Sequence, residues 1–181
     1  MGPDEFLRKL KDLRFRGVED QIFKAYFIEN KRGLNELAEY VGVPHSTVCR
    51  HHQTVSEIKN DYIEFLVFKF RKEFEEARCK AELGQAISFF LMFIVKNKKF
   101  LRGFFQEGAG EMIFRILRWL RDEKGMDYRV LEEGLLIKGF GYGMYAILED
   151  WSEREFRETE MRAVFRRIVG LVAIIEKMKG V

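Results

Sequence analysis

Residues 34–53 read LNELAEYVGVPHSTVCRHHQ. Leu34, Leu37, Ala38 and Val41 recur at helical spacing and define one apolar face. Gly42 is placed to end that helix, because glycine enters the left-handed region without a Cβ clash. Val43 is expected as a buried turn residue. Pro44 is expected at the first position of a second helix, where its missing N–H costs nothing. Val48 is the inward apolar residue of that second helix, and Ala38 is small where the two helices would cross. A helix, a tight turn and a second helix form the arrangement that places a recognition helix in the major groove of DNA.

The outer face of the second helix has the chemistry that such a role needs. No acidic residue lies between Tyr40 and Ser56. The positions expected to be exposed are His45, Ser46, Thr47, Cys49, Arg50 and His51, short donors and acceptors with one arginine, suited to base edges and phosphates. Asn35 on the preceding helix and Lys59 at the start of the following one complete the candidate DNA contacts. All three histidines of the chain, His45, His51 and His52, fall in this segment.

The rest of the 181 residues sets the class. Hydrophobic residues are 47% and charged residues 34%, with 18 phenylalanines and a net charge of +3. That near-balance means any basic surface must be local. The two prolines, Pro3 and Pro44, both sit near expected helix starts, and the long stretches after Gln53 contain none. An all-α protein follows. Cys49 and Cys79 make no disulfide framework and fit a reducing cytoplasm. MGPDEFLRKL lacks the apolar run of a signal peptide. The most apolar stretch, residues 86–95, is too short to span a bilayer.

Taken in order, residues 1–60 are expected to form a DNA-binding unit and residues 61–181 a helical ligand-binding and dimerisation domain. A short amphipathic helix carries Phe6, Leu10 and Leu13 among Arg8, Lys9, Lys11, Arg14 and Arg16, and Gly17 breaks it. Residues 18–30 form the next helix, with Ile22, Phe23, Ala25, Tyr26 and Phe27 inward. Lys31 and Arg32 in the following loop are placed to meet a phosphate or to keep the loop in water. Thr54 with Glu57 is a capping box opening a long helix to about Glu76. No Gly-bounded strand pair follows, so a wing is not expected. Further helices are read at 80–97, 100–106 and 111–124. Asp127 caps one running to Trp151, through Gly139, Gly141 and Gly143, which are tolerable where a neighbour comes close. Ser152 with Glu155 opens the last helix, to about Lys179.

These residues resemble the tetracycline-repressor (TetR) family of transcriptional regulators over roughly residues 18–65. The likeness is strongest at Glu36-Leu37-Ala38, Val41-Gly42-Val43, Ser46-Thr47-Val48 and Arg50-His51, with the immediate restart of a long helix. The remainder matches by length and helical make-up. The family implies a helical ligand-binding and dimerisation domain, joined to the DNA-binding unit by the fourth helix. The chain departs from the family at Cys49, usually tyrosine, at His52, usually aromatic, near Val55, where a phosphate-contacting lysine is usual, and at Gly33, where threonine is common. Residues 33–54 also resemble the IclR-type winged motif locally, but the absent wing and the helical remainder speak against that family.

The expected function is therefore a transcriptional regulator, a ligand-responsive repressor binding a palindromic operator as a homodimer through the last two helices. Phe89, Phe93, Phe104, Phe105, Phe114, Trp119, Tyr142 and Tyr145 are the candidate lining for a small apolar effector, or simply core. Two other functions compete. One is a metal or redox sensor built on His45, Cys49, His51 and His52, since His45 and Cys49 stand one helical turn apart. The other is a helical adaptor that has lost DNA binding. No cofactor or resident metal is expected, and no Gly-rich phosphate loop or nucleophile elbow points to an enzyme.

Overall fold

The computed structural model describes residues 13–79, 82–105, 109–126 and 134–178, and of residues 13–16, 100, 102 and 178 the backbone alone. The expected helix around Phe6 and Leu10, with Arg8, Lys9 and Lys11, and the Asp127 cap lie outside these. The described residues are all-α: nine helices and a short 3-10 turn, with no strand. They fall into two compact units, Met1–Tyr62 and Ile63–Val181.

In the first unit α1 (Leu13–Phe27) packs against α2 (Leu34–Val41), which packs against α3 (His45–His51). α1 runs through Gly17, where a break was expected, because one glycine costs a helix about 1 kcal/mol and does not stop it. It ends earlier than expected, at Phe27, with Asn30 in the left-handed region at φ 56° and the Lys31 N–H on the Ala25 carbonyl at 3.0 Å. Gly42 ends α2 at φ 73°. The Gly42 and Val43 N–H groups both turn back to the Ala38 carbonyl, at 3.0 and 3.1 Å, which closes the helix with a left-handed cap. Val43 is half-buried, not buried. Pro44 is the residue before α3, in an extended conformation at ψ 142°, and not its first residue. Its carbonyl accepts the Thr47 N–H at 2.8 Å.

α4 (Val55–Glu76) carries residues of both units. Thr54 Oγ1 accepts the Glu57 N–H at 3.2 Å, and Glu57 reaches back to the Gln53 N–H at 2.6 Å. This is the expected capping box, with its return bond one residue further back.

The second unit continues with α5 (Leu83–Lys96), α6 (Lys98–Phe105), α7 (Gly110–Asp122), α8 (Leu135–Glu153) and α9 (Met161–Met178). Asn97 alone separates α5 from α6. It is buried, donates to the Phe93 carbonyl at 2.8 Å and accepts from Lys69 at 2.7 Å. α8 packs on both α7 and α9. It does not begin at Asp127: Gly134, at φ 88° and ψ −130°, precludes a continuous helix, and α8 starts after it. Nor does Ser152 open the last helix. It is buried in the last turn of α8 and donates to the Glu149 carbonyl at 2.7 Å. The break falls at Glu155 and Phe156, both in the left-handed region (φ 61° and 49°). Each costs a non-glycine residue roughly 1–2 kcal/mol. The offset is the Phe156 ring, fully buried and edge-on to Trp151 at 5.3 Å and Phe105 at 5.3 Å.

The α8 glycines divide by environment. A Cβ at Gly141 would collide with the Phe114 ring of α7, and one at Gly143 with the Leu171 side chain of α9, whereas Gly139 and Gly17 have open space. We therefore expect opposite signs. Gly17→Ala should raise the unfolding temperature by about 2–4 °C, as a helix-propensity gain of about 1 kcal/mol does in a chain of this size. Gly141→Ala should lower stability by about 1–3 kcal/mol through overpacking, despite the same propensity gain. Thermal unfolding of both variants checks this.

Candidate nucleic-acid interface

α3 is seven residues, about 10 Å long, too short to hold its shape alone. It is held from behind. Val48 is fully buried, with Leu37 and Ala38 of α2 and Ile22, Phe23, Ala25 and Tyr26 of α1. His52, just past the helix, is 1% exposed, its ring 6.0 Å from the Phe23 ring and its Nδ1 3.2 Å from the Asp61 carboxylate. It thus fills a core position that suits an aromatic ring. Tyr62 stacks on Phe27 at 4.4 Å, and burial, then Asp20, pushes its phenol well above the ordinary value, so it stays neutral.

With Val48 inward, His45, Ser46 and Arg50 are exposed, and Thr47 and Cys49 half-buried. Arg50 donates to Thr47 Oγ1 at 3.2 Å, which leaves most of its guanidinium donors available. Cys49 Sγ lies 3.5 Å from His45 Nε2. Asn35 is exposed on α2. Two expected contacts sit differently. The His51 side chain is 6% exposed and points back at α1, with Nδ1 3.5 Å from Glu19, so it is not on the outer face. Lys59 is half-buried, its ammonium 6.0 Å from the Tyr26 ring. Arg32 lies over the same ring at 4.6 Å and donates to Asn30 at 2.5 Å. The metal reading loses its geometry here, because His51 and His52 are each directed at a different carboxylate, away from the exposed His45. Among the described residues no group of three or more His, Cys, Asp and Glu is placed to share an ion. Tyr40 is also exposed, on α2 at its C-terminal end.

The electrostatics of the face come from where the acids go. Glu19 and Asp61 turn to His51 and His52, and Glu57 to the Gln53 N–H. Glu36 accepts the Arg32 and Gly33 N–H groups at 2.9 and 3.1 Å. It closes the α2 N-terminus that Gly33, having no side chain, cannot cap itself. Glu39 stays exposed. An acid-free stretch is thus flanked mostly by carboxylates already engaged.

In the second unit the aromatic candidates pack closely against other rings. Phe89, Phe93 and Trp119 pack edge-on around Phe70, at 5.5, 5.5 and 6.1 Å. Phe105 stacks with Tyr145 at 6.3 Å, and Phe114 meets the exposed Tyr142 edge-on at 5.3 Å. Phe104 is buried. The Tyr145 hydroxyl donates to Glu149 at 2.8 Å, and burial, then Glu149, raises its pKa. Edge-to-face packing uses the ring surfaces that an effector would need. An interior gap of about 10 Å³ is lined by Leu83, Phe90, Ile113 and Met144 among others, and by none of these candidates. It has room for about one water at most.

The Gly33 and Arg32 N–H groups hold the Glu36 carboxyl below its ordinary value of 4.5. A depressed carboxyl pKa contributes stability that is present above the unfolded value and is lost as pH falls through the folded one. Glu36→Gln should therefore unfold at lower temperature than the parent at neutral pH, and the gap should close as pH falls below 4.5; thermal melts across that range read it. Comparison of the chain with protein-family models, curated proteins and solved structures gives no match.

Proposed function

We propose that the chain is a DNA-binding transcriptional regulator of the TetR type, a ligand-responsive repressor that binds a palindromic operator as a homodimer. One observation carries this reading: α3 presents His45, Ser46 and Arg50 outward on a helix–turn–helix while its neighbouring acids Glu19, Glu36, Glu57 and Asp61 are engaged elsewhere. Phosphates would meet Arg50 on a helix that carries no acid of its own, despite the modest net charge. The exposed His45, Ser46 and Arg50 suit base edges, with Asn35 and Tyr40 of α2 placed on exposed positions of the same unit. An effector would act by binding the operator-competent and incompetent states with different affinity.

The dimer reading rests on the last two helices. Leu135 and Tyr142 of α8 are 85% and 65% exposed, and Ile174 of α9 is 59% exposed. Large apolar groups left in water on adjacent helices suit a self-complementary two-fold contact. The adaptor reading is favoured by one observation: of the basic contacts expected on this unit, Arg50 is exposed whereas Lys59 is half-buried beside Tyr26.

Selection of bound fragments from random DNA, followed by a salt titration, tests the proposal. A palindromic site is expected, and Arg50→Ala should weaken binding to it by about 1–3 kcal/mol. Absence of DNA binding even at low salt would favour the adaptor. Tyr142→Glu should shift the chain towards monomer in sedimentation, weakening self-association by about tenfold or more.

A further inference from the structure

α5 and α9 pack against each other in the second unit. Beside their contact lies an open cavity of about 320 Å³, lined by Ser88, Leu91 and Met92 of α5 and Met161, Arg162, Phe165 and Arg166 of α9. That volume falls at the lower end of small-molecule sites, commonly about 300–1,000 Å³. Leu91 is buried and forms the floor, Met161 and Phe165 are half-buried, and Met92 is 59% exposed. Arg162 and Arg166 are exposed at the rim. The Ser88 hydroxyl donates to the Gly84 carbonyl at 2.9 Å and has no proton left for an anion.

We infer that this groove is a binding site for an amphipathic carboxylate, a small organic acid with an apolar body. The two arginines carry the charge side. Neighbouring arginines are neutralised: Arg154 pairs with Asp150 at 2.6 Å and with Glu160 at 3.3 Å, and Arg167 with Asp150 at 2.5 Å. Among the described residues no such partner stands within 4.0 Å of Arg162 or Arg166. They are one helical turn apart, so like charges face each other along one side of α9, an unfavourable spacing unless an anion intervenes. Arg162 also sits in the first turn, where the helix dipole disfavours a cation. Guanidinium forks bind carboxylates with paired hydrogen bonds.

The lining carries the apolar side. A small polar anion would leave Leu91, Phe165 and Met92 against water, and a neutral hydrocarbon would leave the arginines unmet. Methionines on both walls adapt to an unbranched or an aromatic body alike. The site shares no residue with the α3 face and does not depend on the DNA reading.

Calorimetric titration of the full chain with decanoate and, separately, with decanol tests this. Decanoate is expected to bind about tenfold or more tightly than decanol. An Arg162→Gln, Arg166→Gln double variant should lose about that factor for decanoate and none for decanol. Both side chains are exposed, so the variant should keep its unfolding temperature. The inference is overturned by no decanoate binding at millimolar concentration, by equal affinity for decanol, or by a double variant that binds decanoate unchanged. It is also overturned if Met92→Glu abolishes self-association of the parent, which would make the groove a contact between copies.

Discussion

The constraint on which the first unit depends is that a seven-residue helix cannot stand by itself. α3 keeps its shape because Val48 is removed from water by α1 and α2, and because the chain immediately beyond it is pinned by the buried His52. That anchoring sets the rotation of α3. With Val48 inward, the positions of His45, Ser46 and Arg50 follow from helix geometry alone. The left-handed cap at Gly42 sets the angle of entry, since both Gly42 and Val43 return their N–H groups to one carbonyl, that of Ala38. A side chain at Gly42 meets no steric obstacle, but its φ of 73° is strained for any residue bearing a Cβ.

In the same unit the acids nearest α3 are turned to partners of their own. A net charge of +3 on 181 residues gives no general attraction for nucleic acid. Glu19 and Asp61 instead face a histidine each, and Glu36 and Glu57 accept backbone N–H groups. The histidines therefore divide into two uses. His51 and His52 face carboxylates on the inner side, and His45 faces out.

The second unit is built on close approach. Gly141 admits the Phe114 ring and Gly143 admits Leu171, so α8 meets both neighbours nearer than a Cβ would allow. Aromatic side chains interlock edge to face around Phe70, and an open cavity of about 320 Å³ lies at the surface beside α5 and α9. Burial of Phe156 holds the left-handed corner between the last two helices, a conformation that neither Glu155 nor Phe156 would adopt by preference.

What the sequence by itself determined is what depends on neighbours a few residues away. The all-α class, the cap at Gly42, the capping box of Thr54 and Glu57, the inward Val48 and the acid-free stretch after Tyr40 are all local patterns, set by helical period and backbone sterics. What the tertiary structure decided depends on partners distant in the chain. Gly17 and Gly134 are the same residue, yet one lies within a helix and the other precedes one, because surrounding packing sets the backbone at each. The corner at Glu155 and Phe156 has no glycine to announce it; the packing of the Phe156 ring against Trp151 and Phe105 holds it. His51 turns from the expected outer face because Glu19 of another helix waits behind it. Aromatic spacing could not separate a lined pocket from an interlocked core, since both need the same residues at the same period, and only the packing of helix on helix distinguishes them.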